Sequence, residues 1–306
     1  MTVPAGVTAL RGEALRADLA LVVVTAIWGS TFIVNRLAIE TAPPLVFVLV
    51  RFALASLILF PLALGRPLTP NLARDSAVIG VLLAIGIGSQ IAGQLFTTAS
   101  KAAFVTGLSV PLTPIAGYLM TRKKPSPENF AGLVLAAAGF TVLTWPRGAA
   151  GWNRGDLLIL GTAVSYAILI VIMAETAPKH DVRWYSFGQI AAAAVAVGAA
   201  RLALAPFLSG PGTFLAAESR PLVPTPRLVA AILWMALAAT VVTFLAQTWA
   251  QQRMPATHAA ILVALEPVFT ALFAALFLGE RMTGRDWGGA ALVLAGIVVS
   301  ELRWRN

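Results

Sequence analysis

Two pairs of glutamines occur in this chain with the same internal spacing. Gln90 and Gln94 lie four residues apart, and Gln247 and Gln251 repeat that pattern 157 residues later. Residues four apart share one face of an α-helix, so each pair would present two amides in the same direction. A buried amide is costly unless it finds a hydrogen-bond partner. The pairs therefore predict either a polar path that binds a solute or hydrogen bonds that hold helices together.

Glu266 is the second candidate, because it lies inside the apolar stretch 255–278 and directly precedes Pro267. An ionisable group at membrane depth marks a functional site by default. The proline removes a backbone donor and can open a carbonyl group toward a cavity. We expect Glu266 to recognise a substrate amine or to carry a proton in exchange. The alternative is a structural pair with a basic residue or a backbone amide.

Three basic residues are candidates for a gate or an ion pair. Arg51, about two turns into the second helix, could bind a carboxylate through two hydrogen bonds, or it could extend to the outer lipid head groups. Lys101 and His258 occupy equivalent positions in the two halves of the chain. They would lie at opposite membrane faces, where they could close a gate or serve as ordinary interfacial residues.

Two aromatic residues complete the predicted site. Trp28 and Tyr166 fall at comparable positions in the first helix of each half, so they could wall a cavity for a ligand with an apolar or aromatic part. The predicted substrate-binding residues are Trp28, Gln90, Gln94, Tyr166, Gln247 and Glu266. We expect no catalytic residue, metal site or cofactor, because the chain has no cysteine, only two histidines and no phosphate-binding glycine loop.

The composition places these residues in a membrane protein. The 306 residues are 58% hydrophobic and 11% charged, whereas soluble domains carry about 25% charged residues. Long apolar runs separated by short polar turns indicate α-helices, since the ten-residue alternation of a β-barrel is missing from the sequence. The net charge of +9 is better explained by anionic lipid head groups than by nucleic acid.

The apolar runs predict an all-α integral membrane protein with ten transmembrane helices. Their predicted bounds are Leu19–Ala38, Pro44–Leu64, Asp75–Phe96, Ala102–Met120, Asn129–Trp145, Asp156–Met173, Trp184–Ala205, Leu228–Trp249, Pro255–Leu278 and Trp287–Leu302. The polar insert 208–226 is expected to be a loop. The lysines and arginines of the first half favour a cytoplasmic N-terminus, and an even number of spans returns the C-terminus to the same side.

The two halves of the chain are related by an internal duplication. Shifting the sequence by 157 residues lays 90–140 over 247–297 with 12 of 51 pairs identical, two glutamine pairs and two glycine pairs among them. Five helices per copy invert the second copy, which is the plan of many secondary transporters. The predicted organisation is a cytoplasmic N-terminus (1–18), a first repeat (19–145), a second repeat (146–302) and a cytoplasmic C-terminus (303–306).

Several motifs resemble the EamA-type permeases of the drug/metabolite transporter superfamily. They are Trp28-Gly29-Ser30-Thr31-Phe32, Arg51-Phe52, and the string from Leu265-Glu266-Pro267 through Leu278-Gly279-Glu280-Arg281 to Trp287 and Gly289. The first repeat departs from that string with Thr121-Arg122-Lys123-Lys124. The resemblance implies ten helices, a cavity built from helices 1, 3, 4, 6, 8 and 9, outer positions for helices 5 and 10, and export of small metabolites.

These observations predict a secondary transporter that exports small amphipathic metabolites, amino acids including aromatic ones in particular, by alternating access. The expected location is the bacterial inner membrane, with the lipid bilayer and a small-molecule substrate as partners, proton coupling as an option, and either a monomer or a homodimer. A drug or nucleotide-sugar-like carrier of the same fold is the alternative. A membrane enzyme or a channel is disfavoured, because no span carries a catalytic constellation or a filter segment.

Overall fold

The computed structural model describes residues 5–97, 99–145, 153–278 and 283–304, and most of these residues are helical. The α-helices within these ranges are α1 Ala5–Ile39, α2 Pro44–Ala63, α3 Leu72–Gln94, α4 Ala99–Gly107, α5 Ser109–Thr121, α6 Pro127–Thr144, α7 Arg154–Thr176, α8 Val182–Leu204, α9 Thr213–Glu218, α10 Pro226–Ala236, α11 Thr243–Gln251, α12 Ala256–Val263, α13 Glu266–Leu278 and α14 Gly284–Trp304. Short 3₁₀ turns follow α7 and α8.

Six helical segments of the described chain are long and apolar enough to cross a bilayer. They are Gly12–Ile39, Pro44–Ala63, Leu72–Gln94, Arg154–Lys179, Val182–Phe207 and Pro226–Gln251. Two shorter apolar segments, Ala256–Thr270 and Trp287–Val299, accompany them. Large apolar side chains such as Leu57, Val195 and Leu202 are exposed on the outside of the bundle, where lipid would cover them. The all-helical membrane class predicted from the sequence is therefore confirmed.

The fourth and ninth spans were predicted to be continuous helices, but each of them is broken. The fourth is divided into α4 and α5 at Leu108, and the ninth into α12 and α13 at Ala264 and Leu265. Proline has no N–H to bond the carbonyl four residues earlier. Pro111 and Pro267 each stand four residues after the last residue of the preceding helix. The offset of 157 residues places Leu108 and Leu265 at equivalent positions, so both halves of the chain break at the same point.

The segment Pro226–Gln251 contains a local change in helix type. Its middle residues, Leu237–Val242, form a π-helix between α10 and α11. Within it, the Thr240 hydroxyl donates to the carbonyl of Met235, five residues earlier, at 2.7 Å. One-turn π-helices inside α-helices occur frequently at functional sites, and this one faces Arg51.

The helices α6 and α14 pack against each other through glycines that the duplication repeats. A Cβ atom on Gly139 would lie 2.6 Å from the carbonyl oxygen of Gly289, and one on Gly296 would lie 2.5 Å from that of Gly132. Gly132 and Gly139 correspond to Gly289 and Gly296 at the offset of 157 residues. The two contacts are therefore reciprocal, and the order of the residues shows that the two helices run antiparallel. Small residues permit this close approach of helix backbones.

The insert 208–226, predicted to be a loop, contains the short helix α9. Its last residue, Glu218, accepts a hydrogen bond from the backbone N–H of Leu45 at 2.8 Å and forms an ion pair with Arg201 at 2.7 Å. Burial raises the pKa of the Glu218 carboxyl above its usual range, because the loss of water outweighs the backbone donor and the guanidinium. Glu218 thus fixes the insert to the first turn of α2.

Candidate functional site

A central cavity lies among the helices α1, α2, α3, α4, α7, α11 and α12, together with the starts of α5 and α13. Its volume is about 700 Å³, including the solvent space at its opening. Its polar and aromatic lining residues are Trp28, Thr31, Asn35, Arg51, Gln90, Thr106, Ser109, Tyr166, Phe244, Gln247 and Glu266.

One face of α1 supplies a wall of the cavity that is partly aromatic and partly polar. Trp28, Thr31 and Asn35 follow one another at helical spacing and all line the cavity. The indole of Trp28 packs against the ring of Phe244, with ring centroids 6.0 Å apart. The carboxamide oxygen of Asn35 is buried without a hydrogen-bond partner. A buried acceptor without a partner is energetically costly, so a ligand that supplied a donor here would be favoured.

Arg51 enters the cavity from α2. Its side chain is 3% exposed, so the extension to lipid head groups considered from the sequence is wrong. The Nε atom donates to the Thr240 hydroxyl at 2.7 Å, and Nη2 donates to the Ala239 carbonyl at 3.0 Å. Both acceptors belong to the π-helical segment, which therefore holds the guanidinium in place from the opposite side.

Glu266 lies at the first residue of α13, and Ser109 lies at the first residue of α5. The 157-residue offset makes them equivalent, and both line the cavity. The break in each helix exposes these residues to the cavity. Within the described structure the Glu266 carboxylate has no hydrogen-bond or ion-pair partner, so the paired structural role considered for it is not observed.

The glutamines divide into cavity and non-cavity residues. Gln90 lines the cavity and donates to the Thr106 hydroxyl at 3.2 Å, while the carboxamide oxygen of Gln247 is buried without a partner. Gln94 is buried outside the cavity lining, and neither polar atom of its side chain has a partner among the described residues. Gln251 donates to the carbonyl of Ile170 at 3.1 Å. Of the two i, i+4 pairs, one member of each faces the cavity.

The two ends of α1 are tied to neighbouring helices. At one end the buried His258 of α12 contacts the Asp18 carboxylate at 3.0 Å. At the other end the Arg36 guanidinium donates to the Gln94 carbonyl at 3.0 Å. On that same side the Thr97 hydroxyl donates to Asp156 at 2.8 Å. The side chain of Lys101 lies outside the described residues.

The sequence analysis missed several lining residues, although signals for them exist. Asn35 continues the helical face that begins at Trp28 and Thr31. Ser109 is identified by its offset from Glu266, and Phe244 lies three residues before Gln247 on the same helix face. Asp18 stands 138 residues before Asp156, the same separation as between Trp28 and Tyr166. The two offsets identify Ser109 and Asp18, which pairs with His258 and does not line the cavity, whereas helical spacing identifies Asn35 and Phe244.

The comparisons with known proteins decide the family. The sequence model described as the EamA-like transporter family matches residues 15–145 and 153–302, which are nearly the whole chain in two parts. The chain belongs to the EamA-like transporter family. The protein that contains the central cavity is therefore a membrane transporter.

Relatives of this EamA-like chain carry names of the same class. A protein of Archaeoglobus fulgidus named an uncharacterized transporter is 30% identical over 94% of this chain and 87% of its own length. An Escherichia coli protein named "Probable amino-acid metabolite efflux pump" is 26% identical over 94% of this chain and 96% of its own length. The inner membrane transporter YedA of Escherichia coli is 25% identical over 90% and 87%.

The fold is also found among solved structures. One of them superposes with a TM-score of 0.75 over 94% of this chain and 96% of that chain, at 18% sequence identity, and it is described as "Crystal structure of protein". At this identity the likeness concerns the fold alone.

Proposed function

We propose that this EamA-like protein is a secondary transporter that exports small amphipathic metabolites, amino acids including aromatic ones in particular, by alternating access. The observation that carries the proposal is the central cavity, into which both halves of the chain contribute polar and aromatic side chains. The relative named "Probable amino-acid metabolite efflux pump" and one named "Probable terminal-alkyne amino-acid exporter", which matches over 17% of this chain, support the substrate class.

The proposed architecture has ten transmembrane helices in two inverted five-helix repeats, 19–145 and 146–302. The reciprocal glycine contact supports the inversion. Its symmetry axis lies perpendicular to the antiparallel helices α6 and α14, and hence in the plane of the membrane. The paired helix breaks at Leu108 and Leu265 support the same arrangement, because discontinuous helices near the middle of the bilayer form the substrate site in such transporters.

The proposed substrate-binding residues are Trp28, Gln90, Tyr166, Gln247 and Glu266, which were predicted from the sequence and line the cavity. Gln94, the sixth predicted residue, does not line the cavity, and for it we propose an indirect role in supporting α3. Proton coupling would use Glu266, whose carboxylate faces the cavity. The proposed location is the bacterial inner membrane with both termini in the cytoplasm.

His258 and Lys101 are proposed gate residues at opposite ends of the bundle. The contact between His258 and Asp18 joins α12 to α1, so the helices cannot separate at this end while the contact persists. Since the chain contains no cysteine, a cysteine introduced at Ser109 in the cavity would be its only thiol. Asp18→Asn should increase labelling of this cysteine by an impermeant maleimide applied from the side of the N-terminus. Unchanged labelling from that side would contradict the gate.

Transport in proteoliposomes tests the function. Vesicles preloaded with unlabelled amino acids should exchange them for labelled ones, and an imposed pH gradient should drive net flux if a proton is exchanged. Glu266→Gln should abolish the effect of the pH gradient. Exchange of drugs or nucleotide sugars without exchange of any amino acid would overturn the substrate class and leave the transporter in place.

A further inference from the structure

The cavity contains one cationic and one anionic side chain that do not pair with each other. Arg51 and Glu266 both line it, yet they form no ion pair. Isolated charges in a poorly solvated interior carry a large desolvation penalty. Two opposite charges that face the same space without touching leave room for a molecule that carries both complementary charges.

The remaining hydrogen-bonding capacity of Arg51 is directed into the cavity. Its Nε and Nη2 atoms are engaged by the π-helical segment, whereas Nη1 has no partner among the described residues. A guanidinium fixed through two of its nitrogens is held in one orientation, so it loses little further freedom when it binds a ligand. Its free edge can therefore bind a carboxylate through charge-assisted hydrogen bonds.

The cavity lining also offers acceptors. The Glu266 carboxylate and the carboxamide oxygen of Gln247 both lack partners among the described residues. An ammonium group supplies three donors and no acceptor, so it matches these oxygens. The Tyr166 hydroxyl lies close enough to interact electrostatically with both Arg51 and Glu266. Trp28 and Phe244 provide an apolar aromatic wall beside this polar axis.

We propose that Arg51 binds the α-carboxylate and Glu266 the α-ammonium group of a zwitterionic amino acid, while the Trp28–Phe244 wall contacts an apolar side chain. Thr240 is then a positioning residue, since it holds the guanidinium without touching the ligand. This assignment rests on the proposed function and adds that neither an amine alone nor an acid alone is a full substrate.

Three ligands that share a benzyl side chain test the assignment without altering the protein. Binding of L-phenylalanine, phenethylamine and phenylpropionate to the detergent-solubilised parent is measured by calorimetry. Phenethylamine lacks the carboxylate and phenylpropionate lacks the ammonium group. The proposal predicts that L-phenylalanine binds at least tenfold more tightly than either. Equal affinities, or no binding by any of the three, would overturn it.

Variants then test the two poles of the site, which are Arg51 for the carboxylate and Glu266 for the ammonium group. Arg51→Gln should weaken the binding of L-phenylalanine at least tenfold and leave the affinity for phenethylamine unchanged. Glu266→Gln should weaken the binding of L-phenylalanine and leave the affinity for phenylpropionate unchanged. Thr240→Val should reproduce part of the Arg51→Gln effect, and Thr240→Ser should restore the parent affinity. Exposed Arg74 and Glu175, changed to glutamine, are the matched controls. Equal weakening of all ligands by either pole variant would contradict the assignment.

The proposed function and this assignment fail in different ways. Exchange of some solute in proteoliposomes, independent of Arg51 and without preference for zwitterions, would overturn the poles and leave the transporter intact. Exchange of no solute by the folded protein would overturn the transporter function itself.

Discussion

The glycine contact between α6 and α14 makes the packing of these two helices testable. A Cβ atom on Gly139 would lie 2.6 Å from the Gly289 carbonyl oxygen and equally close to the Val293 nitrogen. Ordinary van der Waals contact begins at 3.4 Å, so Gly139→Ala requires the helices to separate by about 0.8 Å at this point. Both opposing atoms belong to the backbone and cannot turn aside as a side chain could.

The expected cost follows from two opposing effects. Overpacking of a closely packed interface costs roughly 1–3 kcal/mol. Alanine in place of glycine within a helix stabilises the helix by about 1 kcal/mol. Gly139→Ala and Gly296→Ala should therefore destabilise the protein by up to about 2 kcal/mol each, the difference between these ranges. The equivalence of the two sites predicts similar losses.

A control exists on α14, the helix that contains Gly296. Gly284 and Gly288 lie near the start of α14, and no described atom beyond the chain neighbours and the local helix backbone is within 4 Å of where an added Cβ would lie. Gly288→Ala should therefore be neutral or stabilising by up to about 1 kcal/mol. Thermal unfolding in detergent, followed by circular dichroism, ranks the variants. Equal melting temperatures for Gly139→Ala and Gly288→Ala would refute the inferred close contact.

Three further changes test other parts of the structure. The raised pKa of Glu218 means that its stabilising contribution is present below the unfolded pKa and is lost as pH rises through the folded pKa. Cleavage by chymotrypsin after Phe214 of α9 should therefore quicken as pH rises, and Glu218→Gln should remove this dependence beyond that of chymotrypsin itself on a denatured control. Removing Arg201, its partner at 2.7 Å, as Arg201→Gln should quicken the cleavage at pH values where Glu218 is ionised, and unchanged proteolysis there would contradict the anchoring role. Gln90→Ala leaves the buried Thr106 hydroxyl without its partner, which should cost about 1 kcal/mol of stability by thermal unfolding, whereas a loss of several kcal/mol would show that Gln90 has a larger structural role.

The fold class could be predicted because lipid restricts the choice of secondary structure. Apolar runs of about 20 residues imply helices, and the order of the helices followed directly. The breaks at Leu108 and Leu265 were missed, although prolines at positions 111 and 267 indicated them. The reason is that proline is tolerated in membrane helices, so its position alone does not tell a break from a bend.

The candidate site could be predicted in part from the duplication. Gln90, Gln247 and Glu266 were found through their polarity, and the cavity brings them together with Trp28, Tyr166 and Arg51. The environment of Arg51 could not be predicted, because it depends on a π-helical segment that lies about 190 residues away in the chain. Gln94 shows the limit of the spacing argument, since it shares a helix face with Gln90 but is not among the residues that line the cavity.

The central claim is that solute crosses the membrane through the cavity lined by Ser109. The most direct measurement is amino-acid exchange by proteoliposomes containing Ser109→Cys, before and after reaction with a bulky maleimide. Exchange should be retained in the unmodified variant and abolished once the adduct fills the cavity. Exchange that continues at the same rate in fully labelled protein would show that the solute takes another path.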